Sequence, residues 1–342
     1  MRRFGFVLYF SVILFIAATA YRHPAPTFDR YLYAATIASK HASDPAQIGQ
    51  EALRIAPRGS YPHTAFTDEL MTHPELMAQQ IPFYTVKPGY ILVLSTLGLR
   101  LVSPLAFVAL AAILLVWLKN PWWCFGLILI PDVAMASRQI TPDLLSAAIV
   151  IAAFYLLMRR TGATESAGLL LLLASVTVRA DNLLYLLAAA LFIRRMPKWK
   201  TGAFVLAGVL IFLAVNHYGH SYGWTMLVRH TLRGGYPDVA HITPEPIRAG
   251  EYIRRLTHEI LDGAIGIWFA FFAALGSYAW RKRAETHGLL IVAAFFAVAH
   301  LTLFPIAEAR YFLASYLLVG VSMASTDGIT LGRNHSTRVI TQ

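Results

Sequence analysis

Residues 141–160 read TPDLLSAAIVIAAFYLLMRR: a Thr-Pro-Asp opening, an apolar run, and a di-arginine close. A proline before an acidic first turn starts a helix, and the acid complements the helix dipole. From Leu144 to Met158 no charged residue interrupts the run. That is near the length a helix needs to cross a bilayer, roughly 17–25 residues. Asp143 and Arg159-Arg160 thus fall at opposite ends of one apolar rod.

The rest of the chain repeats this pattern. Further apolar runs lie at about 4–20, 103–118, 121–136, 166–178, 182–193, 201–216, 260–280, 288–304 and 311–325. Several are short and need flanking Tyr, Trp or Arg to complete a span. Apolar residues make up 57% of the 342-residue chain and charged residues 14%, far from the charge content of a soluble domain. The expected fold is all-α: a polytopic transmembrane bundle of about ten helices forming a single domain over residues 1–330, with a short cytoplasmic tail at 331–342. The first run also resembles a secretory signal, since Met1-Arg2-Arg3 precedes it and Ala18-Thr19-Ala20 looks like a cleavage site. The single cysteine, Cys124, permits no intrachain disulfide.

Lys and Arg set the orientation. With the N-terminus in the cytoplasm and alternating spans, the inner segments hold Arg2-Arg3, Lys119, Arg159-Arg160, the Arg194–Lys200 cluster, Arg281-Lys282-Arg283, Arg333 and Arg338. These are fourteen basic residues against three acids (Glu165, Glu285, Asp327), so the entire net charge of +11 sits inside. Charge spread this way orients helices and meets lipid headgroups. It lacks the basic–aromatic interleaving of a nucleic-acid platform, so no nucleic-acid partner is expected.

Two outer segments are long, 21–102 and 217–258. The first carries helical patterns at Phe28–Ala42, Pro45–Ile55 (capped by Ser43-Asp44) and Phe66–Gln79. Tyr84–Leu101 is moderately apolar but starts outside, and counting it as a span would invert every later loop. It is therefore expected to be interfacial or re-entrant. Polar residues gather at the outer helix ends: Asp29, Asp132, Arg138, Asp143, Arg179, Asp181, His300, Glu308 and Arg310. Snorkelling, helix capping and local pairing each explain some of them. Their common side predicts a polar cavity facing outward. No phosphate-binding loop, dinucleotide fingerprint, zinc-protease motif or nucleophile elbow is present. His217 and His220, without a nearby carboxylate, do not make a metal site.

The ordered set of motifs resembles the C-type glycosyltransferases, multi-pass enzymes that include protein mannosyltransferases and lipid A aminoarabinose transferases. The matching features are Asp29 soon after the first helix, Lys87-Pro88-Gly89-Tyr90 closing the first outer loop, and Thr141-Pro142-Asp143-Leu144 opening a helix. Arg179-Ala180-Asp181-Asn182 and Glu308-Ala309-Arg310-Tyr311 complete the set. Arg30 stands where the family often carries a second acid, and the Pro-x-x-Pro after the late Arg-Tyr is missing.

The resemblance implies transfer of a sugar from a polyprenyl-phosphate carrier to a lipid, glycan or protein acceptor on the periplasmic face of a bacterial inner membrane. By resemblance, Asp29 is the catalytic base. Lys87, Arg138, Arg179 and Arg310 grip phosphate, Asp143, Asp181 and Glu308 orient sugar hydroxyls or hold those arginines, and Tyr84, Tyr90 and Tyr311 stack on the sugar or anchor in the membrane belt. No motif demands a cofactor, although the resemblance allows a divalent cation. A noncatalytic polysaccharide-assembly subunit and a lipid or solute transporter are the alternative functions.

Overall fold

The computed structural model describes residues 2–56, 64–190, 196–232, 238–239, 242, 247–261, 264–282, 286–304, 306 and 308–326. Among these residues every regular element is helical. The expected tail at 331–342, and Arg194, Arg195, Arg283, Glu285, Asp327, Arg333 and Arg338, lie outside them.

The chain opens with α1 (Arg2–Arg22), then a set of short helices: α2 (Phe28–Ala38), α3 (Pro45–Ile55), α4 (Ala65–Thr72), α5 (Pro74–Gln80), α6 (Pro82–Thr85) and α7 (Pro88–Leu97). Four of these begin on proline, which loses no bond at a position whose amide has no intrahelical partner. Asp44 caps α3 by accepting from the Gln47 amide at 3.1 Å, and Thr64 with Thr67 forms a capping box on α4. The helix expected over Phe66–Gln79 is two helices, because Pro74 starts a new one after His73. The helix expected over Phe28–Ala42 stops at Ala38. Together α2–α7 bury their own core, centred on Tyr31, Tyr33, Leu70, Met77, Tyr84, Tyr90 and Ile91.

A second, larger core is formed by α8 (Val102–Leu118), α9 (Pro121–Ile128), α10 (Pro131–Ala136), α11 (Asp143–Met158), α12 (Gly162–Val178), α13 (Leu183–Ala190), α17 (Ala264–Lys282), α18 (His287–Leu303) and α19 (Leu313–Thr326), with α1 packed against it. Helices α14 (Lys198–Tyr218), α15 (Gly223–Leu232) and α16 (Ala249–Leu261) lie at its margin. Short 3₁₀ turns at Ala180–Asn182 and Ala309–Phe312 lead into α13 and α19.

The described parts of every apolar run are mainly helical, but the helices do not by themselves amount to ten full spans. Among the described residues, α1 and α14 are the helices long and apolar enough to cross a membrane, or there are three spans if the bent pair α7–α8 is one. The physical reason is length. Helices α11, α12 and α18 have 16, 17 and 17 residues, and at 1.5 Å per residue they reach only ~25 Å against a hydrocarbon core of ~30 Å. The run at 121–136 is broken at Pro131 into α9 and α10. Tyr84–Leu101 turns sharply: α7 meets α8 at 106°, and Gly98 at the corner takes φ = 81°, which a residue with a Cβ resists.

The ends of the helices sort into two groups. Gly5 on α1 lies against Pro121 at the start of α9, and Ser166 near the start of α12 touches Met196 before α14. Lys119, Arg159-Arg160 and Lys198 share that end of the chain's turns. The opposite ends carry Asp143, Arg179, Asp181 and Arg310, and there the α2–α7 unit packs across the helices.

Candidate functional site

Asp29 sits in the first turn of α2 and is buried. Its Oδ1 accepts from the Tyr84 hydroxyl at 2.8 Å, and its Oδ2 accepts from Arg310 Nη1 at 3.0 Å. The second contact joins residues 281 positions apart. Arg310 enters the site from the 3₁₀ turn before α19, where the chain has just left α18. The same guanidinium donates through Nε to Glu308 Oε2 at 2.5 Å and through Nη2 to the Tyr311 hydroxyl at 3.3 Å. Asp143 Oδ2 lies 3.9 Å from Arg310 Nε.

Asp143 links the two arginines. Its Oδ1 accepts from Arg179 Nη1 at 2.7 Å, with both side chains buried. Arg179 also forks onto Asp181, through Nε at 3.0 Å and through Nη2. The hairpin α11–α12 accounts for this: Asp143 begins one arm and Arg179 ends the other. His300, near the end of α18, completes the chain with Nδ1 3.1 Å from Asp181 Oδ2. Burial disfavours the Asp181 charge, but Arg179 and His300 outweigh it and hold its carboxyl far below the usual carboxylate range.

Lys87 approaches from the α6–α7 junction. Its Nζ donates to the Tyr33 hydroxyl at 3.2 Å and lies 4.9 Å from the centre of the Tyr84 ring. Burial lowers its pKa, while the charges of Asp29 and Asp143 pull the other way. Among the described residues no carboxylate lies within ion-pair distance of it, whereas Arg179 donates to carboxylates through all three nitrogens and Arg310 through two, its third meeting Tyr311. Four carboxylates face two arginines and Lys87, and Lys87 is the one of these three basic groups that pairs with no carboxylate among the described residues.

Of the residues singled out in the sequence, Asp29, Asp143, Arg179, Asp181, Glu308, Arg310 and Tyr311 meet in this network, with Lys87 at its edge. Tyr90 does not line it: the ring is buried edge-on against Tyr33, 4.9 Å between centroids. Arg138 stands apart and exposed. Its Nε donates to the His23 carbonyl at 2.9 Å and its own carbonyl accepts from the Ala25 amide at 2.8 Å, so it fastens the link between α1 and α2. Sequence reasoning missed Tyr33, although its place four residues after Asp29 puts both on one helix face. His300, which the sequence places only on the outward side, is also a direct partner of Asp181.

Glycine sets the approach of Lys87. A Cβ on Gly89 would lie 2.2 Å from Thr177 Oγ1, so α7 and α12 touch there only because the side chain is absent. Beside the network, an apolar groove of about 530 Å³ runs between α17, α18 and α19. Phe312 lines it, and the same ring lies 5.2 Å from His300. Among the described residues no three His, Cys, Asp or Glu side chains are grouped to hold a metal. The carboxylates are engaged by guanidinium groups, a donor set that does not fit the divalent cation the resemblance allowed.

No protein family, curated protein or solved structure matches the chain.

Proposed function

We propose that the chain is a polytopic membrane protein of about ten helices, and that it transfers a sugar from a polyprenyl-phosphate carrier to an envelope acceptor at the periplasmic face of a bacterial inner membrane. The observation that carries this reading is the Asp29–Arg310–Asp143–Arg179 network, assembled from four separated segments at the helix ends opposite the basic turns. Membrane insertion is supported by large apolar side chains left exposed along whole helices: Phe4, Leu14 and Phe15 on α1, and Leu206, Leu210 and Leu213 on α14. The shortness of several helices is met by flanking aromatic and basic residues and by local thinning of the bilayer.

Glycosyl transfer from a lipid phosphate needs a base at the acceptor and positive charge at the leaving group. In this reading Asp29 takes the proton from the acceptor hydroxyl. The oxygen attacks the anomeric carbon, and the bond from that carbon to the phosphate oxygen breaks. Both Asp29 oxygens already hold one donor each, and each keeps a further lone pair for the acceptor. Lys87, free of carboxylates, is placed to meet the departing phosphate. Arg179 and Arg310 hold the carboxylates in position. The apolar groove beside the network suits the polyprenyl chain.

A second reading, a noncatalytic subunit for polysaccharide assembly, draws on the pairing of both arginines with carboxylates, which is how a purely structural ion network looks. Asp29→Asn separates the two. The substitution keeps the shape and an acceptor oxygen, so the protein inserts at normal levels. Envelope glycan and glycolipid analysis by mass spectrometry should show transfer falling ~10²–10⁴-fold, the usual worth of a general base. Unchanged products would leave only the structural role.

A further inference from the structure

Helix α16 carries none of the side chains of the Asp29 network, and it is fastened to the end of α18. The last carbonyls of a helix have no partner within it. Here the Tyr252 hydroxyl of α16 donates to the Thr302 carbonyl, with the Leu301 carbonyl 3.3 Å away, and Trp224 Nε1 of α15 donates to the Leu303 carbonyl at 2.5 Å. The face of α18 that leads to this junction is apolar and open, since Ile291, Phe295 and Val298 are exposed at spacings of four and three. In the membrane reading that face meets acyl chains, so α16 sits where they give way to headgroups.

The surface of α16 is divided to match. Residues four apart share a helix face. Tyr252, Leu256 and Ile260 are half-buried, as are Glu251, Arg255 and Glu259, with Arg255 paired to Glu259 at 2.6 Å. Ala249, Ile253, Thr257 and Leu261 form an exposed row, in which Ile253 is 61% and Leu261 73% exposed. Arg254 beside that row and Arg248 just before the helix are exposed, and among the described residues neither pairs with a carboxylate. Aliphatic side chains flanked by unpaired arginines suit neither plain water nor a hydrocarbon core. The boundary of a bilayer takes both, and a phosphate headgroup there answers each guanidinium.

We propose that α16 is an interfacial helix that docks on an anionic phospholipid surface: Ile253 and Leu261 enter between acyl chains, and Arg248 and Arg254 meet the lipid phosphates. The inference rests on the membrane reading above and is independent of sugar transfer. Through Tyr252, the docked helix ties the end of α18, where His300 and the groove-lining Leu301 stand, to the membrane surface.

The test uses the full chain carrying Cys124→Ala, a fluorescent label at Ile253→Cys or Leu261→Cys, and nanodiscs of phosphatidylcholine alone or in equal parts with phosphatidylglycerol. The quenchers are a nitroxide on the lipid acyl chain and acrylamide in the water. With phosphatidylglycerol present, both labels should be quenched by the lipid nitroxide and shielded from acrylamide. Arg248→Gln and Arg254→Gln, both on exposed side chains, should each lower the ratio of docked to undocked helix about fivefold, the worth of one basic residue at an anionic surface. A label at Leu210→Cys on α14, where the native side chain is 56% exposed, reports insertion and should be quenched by the lipid nitroxide in both nanodiscs. The proposal is overturned if the α16 labels stay open to acrylamide and untouched by the lipid nitroxide while the Leu210→Cys label is quenched. It is equally overturned if neither phosphatidylglycerol nor removal of both arginines changes the quenching on α16. Loss of lipid quenching at Leu210→Cys as well overturns the membrane reading itself.

Discussion

The part of the site that comes from α2–α7 and the part that comes from α11–α19 rest on different physics. In the first, short helices with proline starts enclose an aromatic core; a single carboxylate, Asp29, accepts from the Tyr84 hydroxyl, and Lys87 donates to Tyr33 beside two tyrosine rings without pairing with a carboxylate. In the second, uniformly apolar helices bring guanidinium and carboxylate groups together in a closed ion network. Buried ion pairs lock a geometry, because removing either partner strands the other. Aromatic walls leave a cation available, because a ring satisfies part of its charge without consuming its donors. The seam between the two is crossed by the Asp29–Arg310 pair and by the Gly89–Thr177 contact.

The largest effect tests the locked half. Arg179→Met strands the buried carboxylate of Asp143 and the partly buried one of Asp181, and should cost about 3–5 kcal/mol of stability in a detergent unfolding assay. Adding Asp143→Asn should recover part of that loss. A loss below ~1 kcal/mol would mean that the network is not the lock described here.

A smaller effect tests the seam. Gly89→Ala must move α7 away from Thr177, at a cost of ~1–3 kcal/mol, the usual range for overpacking. Because Lys87 lies two residues away, the proposed glycan transfer should fall more than stability does. A variant as active and stable as wild type would show that the close approach is unnecessary.

The smallest effect is an absence of pH response from the locked half. The Asp181 carboxyl is held below its ordinary value, so its contribution is fully present above the unfolded carboxylate pKa of ~3.9 and is lost as pH falls through the folded value. Unfolding temperature should therefore not decline on this account between pH 8 and pH 5. A decline in that window that Asp181→Asn removes would contradict the assignment.

Much of this arrangement was legible because charge and periodicity are local. The Thr-Pro-Asp start of α11, the Arg-Ala-Asp turn after α12 and the basic closures of the hairpins each announce a helix end and its side. That Asp29 meets Arg310 was foreseeable only through the family resemblance, since no local rule links residues that far apart. The split of residues 121–136 was written in Pro131, whose weight a run of apolar residues concealed. Arg138 shared the side of the other arginines but not their target, because sidedness fixes an end of the molecule and leaves the direction of a side chain open. Helix length was the least legible feature: apolar runs suggest about ten spans, while among the described residues two helices, or three with the bent pair, are long and apolar enough to cross a full bilayer.

Sidedness underlies everything proposed for the network, and it is directly measurable. With Cys124 replaced by alanine, single cysteines are placed at exposed positions on the network side (Glu69→Cys, Tyr222→Cys) and at the basic hairpin end (Ala163→Cys). A membrane-impermeant maleimide applied to intact cells with a permeabilised outer envelope should label the first two and spare Ala163→Cys until the inner membrane is opened. Labelling of Ala163→Cys alone in intact cells would turn the carboxylate–guanidinium network toward the cytoplasm and contradict the function proposed for it.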